Sequence, residues 1–191
     1  MLATRMIAIP ISLTIIRLLL GPLAIVYALT GQRHLVYGPL LLLGMLSDIL
    51  DGVIARKLGV VSPWLRRFDS ATDIIFYACI FVTACLVARE VVWKAIIPLT
   101  LLAASEVMCV AVSFIRFGSL ASTHCYSAKI YGLVIFAAFL GVLALHLGPW
   151  VFFVLAAVGI MANAEALLIL LLSRSAPVDV LSVFHLKRKL A

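Results

Sequence analysis

Apolar residues run through this chain in six long blocks, and the polar residues that interrupt them mark where each block ends. A continuous apolar stretch of about 20 residues is long enough for a helix to cross a bilayer. Placed by their punctuation, the predicted helices cover about 7–29, 35–55, 69–88, 92–115, 127–147 and 150–172. The first stops at Thr30-Gly31-Gln32-Arg33-His34, and a basic loop from Arg56 to Phe68 containing Gly59 and Pro63 separates the second from the third. His146-Leu147-Gly148-Pro149-Trp150 divides an uncharged run, Ile130 to Ala164, that is too long for one crossing. No internal repeat or low-complexity segment is evident. The expected architecture is all-α: one domain over 1–191, a polytopic membrane bundle of six transmembrane helices.

Composition agrees: 65% of residues are hydrophobic and the mean hydropathy is +1.25, outside the range of soluble domains. Arg5 precedes the first apolar block, but that block is longer than a signal peptide's and is interrupted by Gly21-Pro22, so a retained helix is expected. With the N-terminus inside, eleven of the fifteen Lys and Arg residues fall on cytoplasmic segments: Arg5, Arg56, Lys57, Arg66, Arg67, Arg116, Lys129, Arg174, Lys187, Arg188 and Lys189. The positive-inside rule therefore places both termini in the cytoplasm of a multi-pass cell-membrane protein. The net charge of +7 suits anionic headgroups or a phosphorylated substrate. The basic residues form no single stripe, which argues against nucleic acid. Cys79, Cys85, Cys109 and Cys125 lack paired spacing and are expected as free thiols. The four histidines are scattered, so no histidine metal site is expected.

Against this background the acidic residues stand out. The chain has eight, and Asp48, Asp51, Asp69 and Asp73 lie within 26 residues of one another. Asp48 and Asp51 are i, i+3 at the end of the second predicted helix, and Asp69 and Asp73 are i, i+4 at the start of the third, so each pair shares a helix face. An antiparallel helix pair can point all four into one cavity at the cytoplasmic side. Ionisable groups in a membrane bundle are costly and tend to be functional. Four oxygen donors without His or Cys suit a hard cation such as Mg²⁺, Mn²⁺ or Ca²⁺, with enough ligands for two ions. Paired divalent ions serve phosphoryl and phosphodiester chemistry, and a cation transporter could use the same carboxylates.

The residues between the acids separate these classes. Asp48-Ile49-Leu50-Asp51-Gly52-Val53-Ile54-Ala55-Arg56, followed by Asp69 and Asp73 in register, resembles the CDP-alcohol phosphotransferase signature D-x-x-D-G-x-x-A-R, eight residues, G-x-x-x-D-x-x-x-D. Pro10, Thr14 and Arg17 similarly resemble the family's P-N-x-x-T-x-x-R pattern in the first helix. The resemblance implies that Asp48, Asp51, Asp69 and Asp73 ligate Mg²⁺ or Mn²⁺, two ions, with Asp73 also the general base. It implies that Gly52, Ala55, Arg56 and Ser62, with Thr14 as a further candidate, meet a CDP-alcohol such as CDP-diacylglycerol. An acceptor alcohol then displaces CMP in phospholipid biosynthesis. Phosphatidylglycerophosphate is the expected product, and a homodimer in the lipid bilayer the expected assembly. Two positions depart: Leu65 replaces the family's second glycine, where a branched side chain should narrow the nucleotide pocket, and Ile11 replaces Asn.

Arg116, Lys129, Arg66 and Arg67 are candidates for binding a phosphorylated acceptor, although positive-inside topology accounts for them equally. Glu106 and Glu165 are expected as packing partners for a buried cation such as Arg17, with an acceptor-pocket role the alternative. The polar stretch around His124 and Lys129 is a further candidate for the pocket lining, and the basic tail, Phe184 to Leu190, is expected on the headgroups. Besides transport, a catalytically silent relative is the other alternative, supported by Leu65 alone.

Overall fold

The computed structural model of the chain describes residues 2–31, 34–60, 62–118 and 126–173. It is all-helical over these residues, with α1 Leu2–Leu29, a short 3₁₀ turn His34–Val36, α2 Tyr37–Lys57, α3 Pro63–Val87, α4 Arg89–Lys94, α5 Ile96–Phe117, α6 Tyr126–Leu143 and α7 Trp150–Leu172. Six of these carry segments long and apolar enough to cross a membrane, the third over Phe68–Val87. The expected six-span architecture is therefore found.

Three boundaries differ from the sequence expectation for local reasons. α3 begins at Pro63 and not near Asp69, because Ser62 is an extended N-cap whose hydroxyl accepts from the Leu65 amide at 3.2 Å and Pro63 occupies the first helical position. Asp69 thus lies almost two turns inside the helix. The fourth apolar block is split into α4 and α5. Pro98 has no N–H to give the Lys94 carbonyl, and the chain breaks at Ala95 before restarting. α6 ends at Leu143, four residues before the expected point.

The end of α2 decides where the acidic segment stops being helical. Val60 N–H donates to Ala55 O at 3.1 Å and Gly59 N–H to Arg56 O at 3.2 Å, with Gly59 at φ +64°. This is a Schellman closure, and its left-handed residue favours glycine. It terminates the helix directly after Arg56 and Lys57.

The helices cluster into two compact units. The first comprises residues 1–89 and 139–146, with α1 packed on both α2 and α3. The buried positions of α1, namely Pro10, Thr14, Arg17, Gly21 and Ala24, recur at spacings of three and four, as do Leu40, Gly44, Ser47, Asp51 and Ala55 on α2. Such stripes face a neighbouring helix. Small residues permit close approach: a Cβ on Gly21 would lie 3.1 Å from Cys79 Cβ and 3.3 Å from Phe76 Cα. The second unit comprises residues 90–138 and 147–191. There α5 packs on α7, and a Cβ on Gly159 would lie 2.5 Å from Leu102 Cδ1.

Candidate functional site

The stripe that packs α1 against its neighbours carries polar residues at one end. Asp51 follows Leu40, Gly44 and Ser47 along the buried face of α2, so packing of the apolar part of the helix aims its carboxylate inward. On α3, Asp69 and Asp73 continue the helical spacing that buries Leu65, Thr72, Phe76 and Ile80. Thr14 and Arg17, i and i+3 on α1, face both. Three helices thereby deliver six polar side chains to one place.

Arg17 is the centre of that place. Only 1% of it is exposed, and it is ion-paired with all four aspartates. Nη1 donates to Asp48 Oδ1, and Nη2 donates to Asp69 Oδ1 and lies 3.4 Å from Asp51 Oδ2. Nε lies 3.2 Å from Asp73 Oδ1, an ionic contact without the alignment of a hydrogen bond. Thr14 Oγ1 stands 3.0 Å from Pro10 O and 3.1 Å from Asp51 Oδ2. Its single proton has two acceptors, of which the carboxylate is the stronger.

The cluster is layered. The side chains of Asp48, Asp69 and Asp73 are 46%, 34% and 37% exposed, whereas Asp51 at 5% and Arg17 at 1% lie beneath them. One guanidinium offsets one of four negative charges, leaving an excess of three on a partly open surface. One oxygen from each of Asp48, Asp51 and Asp69 lies within 4.8 Å of the others, so these three can hold a cation together. Asp73 stands outside that triad but shares the same guanidinium. The donors are all carboxylate oxygens, a set that fits a hard divalent ion.

The other sequence candidates fall in several environments. Gly52 lies one residue beyond Asp51, and a Cβ there would meet only Arg56, at 3.5 Å from Nη1. Among the described residues no packing requires a glycine at this position. Arg56 is exposed, whereas Ala55 is buried at 7%. The Ser62 hydroxyl caps α3, and Leu65, in place of the family glycine, is itself buried at 7%. Lys129 Nζ sits 5.5 Å from the Tyr126 ring centroid. Arg116 donates to Leu170 O at 2.9 Å, to Leu171 O and to Ser173 O at 3.3 Å, so its guanidinium closes the C-terminal end of α7. The side chains of Arg66 and Arg67, the stretch 119–125 with His124 and Cys125, and the tail from 174 onward lie outside the described residues. Among the described residues Cys79, Cys85 and Cys109 are free thiols.

Within the second unit the Glu106 carboxylate accepts a hydrogen bond from Tyr131 Oη, and within the first the four aspartates surround Arg17. Glu106 and Tyr131 line a cavity of about 300 Å³ in the second unit, with Cys109 and Asn163. Arg17 was legible only as part of a pattern. The signal that locates it is the i, i+3 spacing of Thr14 and Arg17, which puts both on the face of α1 that meets the aspartates.

The family model described as CDP-alcohol phosphatidyltransferase matches residues 7–180, most of the chain. No curated protein and no solved structure is significantly similar to it.

Proposed function

The chain belongs to the CDP-alcohol phosphatidyltransferase family, and from that premise we propose that it transfers a phosphatidyl group from a CDP-activated lipid to an alcohol, releasing CMP. The observation that carries this reading is the convergence of Asp48, Asp51, Asp69 and Asp73 on one open, negatively charged surface backed by Arg17. These acids occupy the register in which the signature places Gly52, Ala55 and Arg56.

In the proposed reaction the acceptor hydroxyl attacks the β-phosphorus of the CDP-lipid. The new O–P bond forms as the bond to CMP breaks, and the electron pair leaves on the CMP phosphate. Asp73 takes the hydroxyl proton. It is suited to this role because it is partly exposed and stands outside the carboxylate triad. Asp48, Asp51 and Asp69, with Asp73 as an additional ligand, would hold Mg²⁺ or Mn²⁺, two ions in the full reading. When bound, such ions supply charge neutralisation for the diphosphate and for the departing CMP. Gly52 leaves room for a nucleotide beside α2, and exposed Arg56 offers a guanidinium to its phosphates.

The Lys and Arg distribution supports a cytoplasmic location for this surface. Within the class, the narrower reading is phosphatidylglycerophosphate synthesis by a homodimer, with glycerol 3-phosphate as acceptor. The test is an acceptor screen with purified protein and CDP-diacylglycerol, the lipid products identified by mass spectrometry. Product with glycerol 3-phosphate supports the narrower reading. Product with a different alcohol retains the class and replaces the acceptor, and failure to bind any CDP-alcohol refutes both.

A further inference from the structure

Within that reading, on which this inference rests, we propose that Arg17 is the positioning residue of the cation site: its buried guanidinium fixes one oxygen of each aspartate and so sets the outward-facing carboxylate surface before a cation arrives. Arg17 touches neither substrate nor reacting atoms in this account. It acts through the aspartates.

Three observations carry the assignment. The first is valence: Nη1, Nη2 and Nε each face a different carboxylate or pair of carboxylates. The second is origin, because Asp48 and Asp51 come from α2 and Asp69 and Asp73 from α3, while Arg17 comes from α1. One planar group thus ties the acids of two helices to a third. The third is depth: the guanidinium lies under the carboxylates, three of which remain partly exposed. Every hydrogen bond or nearest contact falls on a single oxygen of its aspartate, Oδ1 of Asp48, Asp69 and Asp73 and Oδ2 of Asp51.

The chemistry of the side chain makes this specific. Arginine stays charged and presents donors in a rigid fork, whereas lysine carries the same charge as a single mobile ammonium. Lys at position 17 would offset the same charge without holding four carboxylates in one arrangement. Charge and geometry are therefore separable by substitution. Groups that orient metal ligands from behind typically change metal affinity by about 10–100-fold when altered.

The experiment uses the full chain in detergent or nanodiscs, with Mn²⁺ alone as the probe, followed by electron paramagnetic resonance titration and by thermal unfolding with and without Mn²⁺. Arg17→Lys is expected to fold and to bind Mn²⁺ at least about tenfold more weakly than wild type. Arg17→Gln, which removes the fork that holds the four acids, is expected to be less stable in metal-free buffer and, because stabilisation by a bound ion follows its affinity, to gain less stability from Mn²⁺ than wild type does. Wild-type or tighter Mn²⁺ affinity in Arg17→Lys overturns the proposal, since Arg17 would then be a structural ion pair or a competitor for the site. If Arg17→Lys does not fold, the Arg17→Gln comparison decides: an Mn²⁺ stabilisation equal to or larger than that of wild type overturns it. Absence of Mn²⁺ binding by wild type defeats the functional reading itself, a result distinct from failure of the variants alone.

Discussion

Thr14 Oγ1 lies 3.1 Å from Asp51 Oδ2, linking the first helix to the most buried of the four aspartates. This hydroxyl supports a carboxylate. Thr14→Val preserves shape and removes the donor, so it should lower stability by about 1.5–3 kcal/mol, the range for a hydrogen bond to a charged group. Thermal unfolding measures that loss. Titration with a CDP-lipid should give an affinity equal to wild type, and Thr14→Ser should restore stability.

Gly44 faces the ring of Phe76, and a Cβ there would lie 2.5 Å from Cζ. Phe76 is only 2% exposed, so its ring has little room to yield. Gly44→Ala is therefore expected to destabilise by about 1–3 kcal/mol, as overpacked cores do. The double variant Gly44→Ala with Phe76→Leu should recover part of the loss, and a thermal-melt cycle over the four proteins measures the coupling.

Leu65 stands where the family signature has glycine, yet it is buried and its amide is capped by Ser62. Leu65→Ala should cost about 2–5 kcal/mol of stability, the usual range for truncating a buried leucine. If Leu65 narrows the nucleotide site, the same variant will tighten CDP-lipid binding. Its burial predicts unchanged affinity, which equilibrium binding of a labelled CDP-lipid can measure.

Arg116 closes α7 through the carbonyls of Leu170, Leu171 and Ser173. Arg116→Gln is expected to lower stability by about 1–3 kcal/mol through loss of these charge-assisted bonds. A role limited to α7 leaves the acceptor KM within about twofold of wild type, whereas acceptor contact raises it. Steady-state kinetics over acceptor concentration distinguishes the two.

Much of this was legible in the sequence because hydropathy and spacing are local properties. Six apolar blocks gave six membrane-length helices, and Pro149 marked the start of the last. The four aspartates could be gathered from their i, i+3 and i, i+4 spacing, since residues so placed share a helix face. What stayed hidden depended on contacts between helices. Arg17 was legible as the last residue of a first-helix pattern and as a buried cation, but only the packing of α1 on α2 and α3 shows that it meets all four acids. The capping contacts of Ser62 and Arg116 were also hidden, because a polar side chain near a motif does not reveal which helix end it meets. The early start of α3 has the same origin, as Ser62 and Pro63 extend the helix through residues whose charge suggested a loop.

The central claim, that the aspartate surface performs metal-dependent phosphatidyl transfer, is tested most directly by CMP release from CDP-diacylglycerol by purified protein with an acceptor, comparing wild type with Asp73→Asn. Wild type should release CMP only when Mg²⁺ or Mn²⁺ is present. Asp73→Asn should fold and bind the CDP-lipid but lose at least about 100-fold in rate, the lower range for removal of a general base. CMP release that persists after chelation, or that is unchanged in Asp73→Asn, would contradict the account.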